Sequence, residues 1–316
     1  MFALQDDITI KVLTIVKVKL ENLGGSGWIK HHKGTRGLEC YLKLQEAMGY
    51  LSRGTIPDTN QARQLAEAAI AMCPEAPGPY RILGNVTQQD YTLGSSKSPR
   101  ESLEKAEELV KKALAIDDTL SDAHGNLGMI YMQKRDYDKA IASAERALSL
   151  EPGSSWCLYR LGVALSFAAR PEEAIPLFEK ALRLNPLAPA TFYYDFGGAL
   201  RTANRIEEAA ASYKKASEKA PNWFWPHAAL AAVYSMLGRN EEARAEAVEV
   251  LRINPRFSLE WVDRVAAYKD RAPVKTFIDA MRKAGLPDKP PPPSPKRRAV
   301  PRPNGGRLAQ SRAEVI

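Results

Sequence analysis

The sequence predicts an all-α solenoid built from stacked helix–turn–helix units and followed by a disordered C-terminal tail. Three observations support this prediction. Ala, Leu, Glu, Lys and Arg, which favour helices, dominate residues 38–286. A pattern of apolar, small and proline positions returns about every 34 residues, which is the sequence signature of a solenoid. Residues 287–316 hold a proline run and many basic residues, a composition that cannot bury an apolar core.

The repeat is clearest where four prolines follow one another at spacings of 34, 35 and 34 residues: Pro152, Pro186, Pro221 and Pro255. Each proline should stop the second helix of a unit, because it has no N–H group to donate. Four further columns run in register with the prolines: Leu127, Leu161, Phe196, Leu230; Gly128, Gly162, Gly197, Ala231; Ala140, Ala174, Ala209, Ala243; and Ala147, Ala181, Ala216, Val250. The small residues should let the two helices of a hairpin approach closely, so Ala140→Leu or Ala174→Leu should cost about 1–3 kcal/mol.

The repeat divides the chain into six units, which we number 1 to 6: 43–76, 77–120, 121–154, 155–188, 190–223 and 224–257. Unit 2 is longer than the others because of a turn-rich insertion at residues 90–99. Residues 1–37 are predicted to form an N-terminal helix, with a strand as the alternative, and a Gly-rich connector. Residues 258–286 should form a closing helical cap, with Tyr268, Phe277, Ile278 and Met281 on its apolar side.

The charge distribution argues against a nucleic-acid-binding protein. The formal net charge is +8, but residues 287–316 contribute +5 of it, from seven basic and two acidic residues. The remaining chain is therefore close to neutral and shows no basic stripe, so we expect no nucleic-acid partner.

Compartment and redox state can also be predicted from the sequence. Residues 8–23 are interrupted by charged residues and lack a signal-peptide cleavage site, so we expect no membrane span and a cytoplasmic protein. Cys40, Cys73 and Cys157 form no C-x-x-C pair and are predicted to be free, buried thiols.

The pattern L-G-x-x-Y … A … A … P at a period near 34 residues resembles the tetratricopeptide repeat family. This resemblance implies a right-handed superhelix whose inner curve is lined by the first helix of each unit. It also implies a non-catalytic scaffold that binds a partner peptide or helix in that concave groove.

A second resemblance concerns strings such as FALQDDIT (residues 2–9), EEARAEAVEVLRINPRFSLE (241–260) and FIDAMRKAGLP (277–287). They are similar to the repeat-bearing C-terminal region of bacterial adenylate/guanylate cyclase-like proteins. No cyclase domain fits in front of FALQDDIT, so the resemblance implies only the interaction half of such a protein. The alternative function is therefore a regulatory fragment of a cyclase-type signalling protein, and a gene remnant, a split partner and a misplaced start codon all remain open as its origin.

The tetratricopeptide resemblance also implies a candidate peptide site. Some domains of this family hold a peptide's terminal carboxylate with basic and Asn side chains at five positions in three successive units. Four of these positions carry suitable residues here, namely Arg81, Asn85, Asn126 and Arg160. Trp156 occupies the fifth position. Tyr159, Tyr194 and Trp225 should line the same groove, and Trp225 is expected to be the one exposed residue of the aromatic cluster formed by Trp223, Phe224, Trp225, Tyr193 and Tyr194. The expected partner is a protein or peptide, with an acidic or C-terminal carboxylate group as the candidate contact.

No catalytic or metal-binding constellation is recognisable in the sequence. His31 and His32 have no metal ligands at a suitable spacing, and His124 and His227 occupy positions of their units where a packing residue usually sits. We therefore expect no enzyme activity, no cofactor, no metal and no small-molecule substrate.

Overall fold

The computed structural model describes residues 34–290, and all regular secondary structure in that range is helical. The predicted N-terminal helix, most of the connector and most of the tail lie outside the described residues. The fourteen described helices are α1 (Gly34–Leu51), α2 (Ile56–Met72), α3 (Pro77–Thr92), α4 (Pro99–Ile116), α5 (Ser121–Gln133), α6 (Tyr137–Leu150), α7 (Ser155–Phe167), α8 (Pro171–Leu184), α9 (Ala190–Thr202), α10 (Ile206–Lys219), α11 (Phe224–Met236), α12 (Asn240–Ile253), α13 (Leu259–Val265) and α14 (Ala272–Lys283). No helix among these residues is long and apolar enough to cross a bilayer.

Helices α1 to α12 form six antiparallel hairpins, each made of an odd-numbered helix and the even-numbered helix that follows it. The small residues of the repeat lie where the two helices of a hairpin meet. Ala140 and Ala174 have no exposed surface, and a Cβ on Gly128 would lie 3.0 Å from the Ala140 carbonyl oxygen. The prediction of an all-α solenoid is therefore confirmed.

The turn inside each of units 3 to 6 has the same backbone shape. One residue in each turn adopts a positive φ of 61° to 75°, and these residues are Arg135, Ala169, Asn204 and Gly238. They share one repeat position, although glycine, which tolerates this conformation best, occupies it only in unit 6. The turn geometry is thus a property of the repeat, and it fixes the backbone conformation from which the Arg135 side chain extends.

The N-terminal end differs from the prediction in two respects. Helix α1 begins at Gly34, within the Gly-rich connector predicted to end at residue 37, so the first helix of unit 1 starts before residue 43. Cys40 and Cys73 form a disulfide between α1 and the end of α2, with Cα atoms 6.5 Å apart, and this corrects the expectation of free cysteines. The separation lies within the range that disulfides bridge, and only the pairing of the two helices brings the residues together. Cys157 is free and buried.

The closing cap is not a continuous helical element. Residues 266–271, which we call the strap, interrupt it between α13 and α14. Helix α14 packs against α11 of unit 6, with Phe277, Ile278 and Met281 buried as predicted. Tyr268 lies in the strap instead of on a helix face. The start of α13 is held by the chain that follows α14, because Leu259 N–H donates to the Pro287 carbonyl at 2.9 Å.

Candidate functional site

The inner surface of the solenoid is formed by the first helices of the units. Helix α3 contacts α5, α5 contacts α7, and α7 contacts α9. The first helices therefore lie side by side on the tighter curve, as expected for a superhelix of helical hairpins. We call this surface the groove, and the eight residues predicted to bind a peptide all lie on the first helices of units 2 to 6.

At its N-terminal end the groove carries two arginines that share one carboxylate. Arg160 Nη1 donates to the backbone carbonyl of Asp122 at 3.0 Å and to its Oδ1 at 3.4 Å. Arg81 Nη1 lies 4.0 Å from Asp122 Oδ2. Arg81 is almost completely buried, and this burial lowers its pKa to about 10. The chain's own Asp122 thus occupies the position between the two arginines where a peptide carboxylate was expected.

Two side-chain amide atoms, one helical turn after Arg81 and one helical turn after Asp122, lack hydrogen-bond partners within the described chain. They are Oδ1 of Asn85 and Nδ2 of Asn126, and both atoms are buried. A buried polar atom without a partner costs roughly 1–3 kcal/mol, so most such atoms in folded proteins are satisfied. One free acceptor and one free donor therefore lie next to the Arg81–Asp122–Arg160 cluster.

The middle of the groove is aromatic. Tyr159 is buried and stacks on Phe192, with ring centroids 4.2 Å apart. Its hydroxyl donates to Asp195 Oδ2 at 2.5 Å. Burial raises the pKa of Asp195 to about 6, and the hydrogen bond from Tyr159 acts in the opposite direction. Trp156 contacts Tyr159 and Phe192 edge-on and, at 40% exposure, is the most accessible of the eight predicted residues.

The C-terminal part of the groove is covered more than the sequence suggests. Trp225 was expected to be exposed, but it is half-buried and stacks on Trp261 of α13, with ring centroids 5.1 Å apart. This prediction was wrong because Trp261 lies outside the repeat register. Tyr194 is also half-buried and contacts the rings of Tyr213, Trp223 and Trp225.

The strap covers the groove next to this aromatic cluster. Tyr268 stacks on Phe167, the last residue of α7, with ring centroids 4.1 Å apart and ring planes at 16°. Burial also raises the pKa of the Tyr268 hydroxyl. The strap therefore occupies part of the groove in which a partner peptide was expected to bind.

The two histidines of the described chain are held by protein groups. His124 Nε2 lies 2.9 Å from the Asp118 carbonyl oxygen. His227 Nδ1 lies 2.6 Å from Glu246 Oε2, and this hydrogen bond raises the pKa of His227. Among residues 34–290 no group of three or more potential ligand side chains could hold a metal ion.

Sequence reasoning missed several groove residues. Asp122 stands one repeat before Trp156 and four residues before Asn126 on the same helix face, so register could have identified it as a neighbour of the arginines. No comparable signal pointed to the contact between Phe167 and Tyr268, because the strap belongs to no unit.

Comparisons with known proteins agree with this geometry. Residues 119–186 and residues 159–222 each match a sequence profile described as tetratricopeptide repeat. The two matches overlap and together cover less than half of the chain. They coincide with units 3 to 5, where the repeat columns are most regular.

The similar proteins include receptors and an assembly factor. The peroxisomal targeting signal receptor of Saccharomyces cerevisiae is 28% identical over 170 residues, which are 50% of this chain and 26% of the receptor. The type IV pilus assembly protein PilF of Pseudomonas aeruginosa is 24% identical over 176 residues, 53% of this chain and 68% of PilF. The chain thus spans about a quarter of the length of the yeast receptor.

Two solved structures share the fold. The structure of Pseudomonas aeruginosa PilF has a TM-score of 0.50 and 22% identity, covering 72% of this chain and 97% of PilF. The Cut9–Hcn1 structure has a TM-score of 0.56 and 18% identity, covering 79% of this chain and 47% of the matched chain. Residues 119–222 therefore match tetratricopeptide repeat profiles, and the described helices form an all-α solenoid of that type.

Proposed function

We propose that this protein is a non-catalytic interaction scaffold whose groove binds a peptide or helix of a partner protein. The proposal is supported most by the unpaired amide atoms of Asn85 and Asn126, which lie beside Arg81 and Arg160 on the inner surface. A guest with both a donor and an acceptor would satisfy these atoms. The relative named as a receptor for a targeting signal agrees with a binding role.

The partner group best suited to this end of the groove is a carboxylate, either an acidic side chain or a C-terminus. Two guanidinium groups on one side and an amide N–H on the other can donate charge-assisted hydrogen bonds, each contributing about 1.5–3 kcal/mol. Asp122 competes for the same guanidinium groups. Binding of a carboxylate should therefore require that Arg160 exchange Asp122 for the guest.

The test uses fluorescein-labelled acidic hexapeptides, each prepared with a free C-terminal carboxylate and with a C-terminal amide. Fluorescence polarisation with the full chain should show tighter binding of the free-carboxylate form. Arg160→Ala should weaken that binding by about 10-fold or more, whereas Asp122→Asn should strengthen it by leaving the arginines without an internal carboxylate. Arg183→Ala, an exposed position on α8, is the matched control. Equal affinity of the wild type and Arg160→Ala for these peptides would reject the carboxylate site.

The second candidate function is the regulatory fragment of a cyclase-type protein, which the strings at residues 241–260 and 277–287 favour. The relatives described above are not cyclases, so this candidate depends on those strings alone. The DNA sequence upstream of Met1 tests it, because an adjoining cyclase domain would support the fragment. Turnover of ATP or GTP by the purified chain would contradict both candidates.

Cytoplasmic localisation remains a prediction, and the Cys40–Cys73 disulfide bears on it. Disulfides persist mainly in oxidising compartments and are rare in a reducing cytoplasm. Trapping the thiols in intact cells by rapid alkylation separates the two situations. Alkylated Cys40 and Cys73 would support a cytoplasmic protein, whereas an intact bond would indicate an oxidising compartment.

A further inference from the structure

The strap, residues 266–271, lies on the groove as a peptide ligand would. It is not helical, although helices flank it on both sides. Its contacts begin at unit 3, pass unit 4 and end at unit 5. After α13 the chain therefore crosses the inner surface of units 3 to 5 and returns to pack against unit 6 as α14.

Main-chain groups of the strap are bound by residues of the solenoid. Arg135 Nη2 donates to the Ala266 carbonyl at 3.2 Å, and the Tyr137 hydroxyl donates to the Ala267 carbonyl at 2.9 Å. In the other direction, Lys269 N–H donates to the Phe167 carbonyl at 2.8 Å. Hydrogen bonds to main-chain atoms do not depend on side-chain identity, so they would serve any extended segment in this place.

The Tyr268 side chain occupies a space that the repeat opens at one position. Its ring stacks on Phe167, and the Arg201 guanidinium lies 5.8 Å from the ring centroid. A Cβ on Gly198 would lie 3.2 Å from the Tyr268 hydroxyl oxygen. The same repeat position carries Met129, Val163 and Ala232 in units 3, 4 and 6, so among these units only unit 5 has no side chain at the position that the Tyr268 hydroxyl approaches.

Arg201 provides a further sign of a ligand site. It is only 6% exposed, and Nη1 donates to the Pro273 carbonyl at 3.1 Å. Its Nε is buried and has no hydrogen-bond partner within the described chain. The strap therefore leaves one donor of the site unused, which a different guest could satisfy.

We propose that Arg135, Tyr137, Phe167, Gly198 and Arg201 form a binding site for an extended peptide with an aromatic residue, and that the strap competes for it. We call these five residues the strap site. The proposal rests on the scaffold function and adds the chemistry of a second guest. A partner peptide would place its aromatic side chain between Phe167 and Arg201 and its main chain on the groups that now hold the strap. Because the strap is tethered at both ends, its effective concentration is high and it should outcompete weak guests.

The experiment supplies the strap sequence in trans. A fluorescein-labelled peptide with residues 263–273 (DRVAAYKDRAP) is titrated into the full chain as wild type, Tyr268→Ala and Lys275→Ala. Tyr268→Ala empties the aromatic position and should bind the peptide at least 10-fold more tightly than the wild type. Lys275→Ala, an exposed position on α14, leaves the strap unchanged, so it should bind like the wild type.

Two further variants locate the binding. A peptide with alanine in place of its tyrosine should not bind the Tyr268→Ala protein. The double variant Tyr268→Ala/Phe167→Ala should not bind the original peptide. Circular dichroism confirms that each variant is folded. Equal peptide affinity of the wild type and Tyr268→Ala, or full binding after loss of Phe167, would overturn the proposal.

Hydrogen exchange of the wild type provides an independent readout if a variant does not fold. Excess peptide should displace the strap and accelerate exchange of the Lys269 amide, and unchanged exchange would contradict displacement. Failure here is distinguishable from failure of the carboxylate site. Strap peptides are tested through Tyr268 and Phe167, and acidic peptides through Arg160, so either guest can be rejected while the other is retained.

Discussion

The Tyr159 hydroxyl donates a 2.5 Å hydrogen bond to Asp195, which joins the first helix of unit 4 to that of unit 5. Burial raises the pKa of this carboxyl group to about 6. The middle of the groove therefore contains a carboxylic acid that titrates near pH 6.

Removal of the hydrogen bond should raise this pKa further. Because the bond from Tyr159 favours the charged form, Tyr159→Phe should shift the pKa of Asp195 to above 6. Carbon-13 NMR titration of the Asp carboxyl groups measures it. A pKa of Asp195 near 4 in the wild type would contradict the buried geometry.

The same group should make stability depend on pH. An unfolded Asp ionises near pH 3.9, whereas folded Asp195 ionises near pH 6, so the folded state binds the proton more tightly. The free energy of unfolding should therefore fall as pH rises from about 4 to about 6. Asp195→Asn should lack this decline and gain stability relative to the wild type above pH 6. Urea unfolding at several pH values provides the measurement, and parallel curves for the two proteins would refute it.

A second dependence of stability on pH is expected at His227, where a hydrogen bond and not burial raises the pKa. The hydrogen bond with Glu246 raises the pKa of His227 above its ordinary value. The contribution of this hydrogen bond to stability should be complete below about pH 6.5 and should be lost as pH rises through the folded pKa of His227. Glu246→Gln should lower the pKa of His227 and reduce stability at pH 5.5 more than at pH 9. Proton NMR of the imidazole reports the pKa, and no change in Glu246→Gln would disprove the coupling.

The close approach of helices within a hairpin predicts a large effect of one small core residue. Ala140 has no exposed surface and its carbonyl oxygen would meet a Cβ on Gly128 at 3.0 Å. Ala140→Leu should therefore cost about 1–3 kcal/mol of unfolding free energy through overpacking. Ala142→Leu, an exposed position on the same helix, is the control and should change stability by less than about 0.5 kcal/mol. Comparable losses in the two variants would argue against the hairpin packing.

The three cysteines should differ in oxidation state and in reactivity toward alkylating reagents. Peptide mapping without reductant should find Cys40 linked to Cys73 and Cys157 free. Because the bond closes a loop of 33 residues, its reduction should cost about 3–4 kcal/mol in the chain-entropy view. Burial raises the pKa of the Cys157 thiol, so iodoacetamide should label it slowly until the protein unfolds. Rapid labelling of all three cysteines in the native protein would show that the bond is absent.

Most of the fold could be predicted because the repeat columns report local geometry. Gly128, Ala140 and Pro152 each describe how one helix meets or leaves its own neighbour, so their spacing is sufficient to place the hairpins. The candidate residues Arg81 and Arg160 could be placed on the groove for the same reason.

What could not be predicted depends on contacts between segments far apart in the chain. Phe167 stacks on Tyr268, and Cys40 bonds to Cys73, yet neither pair shares a repeat column. Asp122 was visible in the register, but its role emerges only when Arg81 and Arg160 approach it from two other helices. Periodicity reports which face a residue occupies and not which distant residue covers that face.

The strap also changes how the molecule should come apart. In an ordinary solenoid each repeat touches only its neighbours, so an array can fray from either end. Here Arg135 and Tyr137 of unit 3 are bound to residues that follow unit 6. The C-terminal units cannot unfold without breaking those hydrogen bonds, so units 3 to 6 should unfold in a single cooperative transition. Unit 1 makes none of these contacts with the strap and can therefore unfold first.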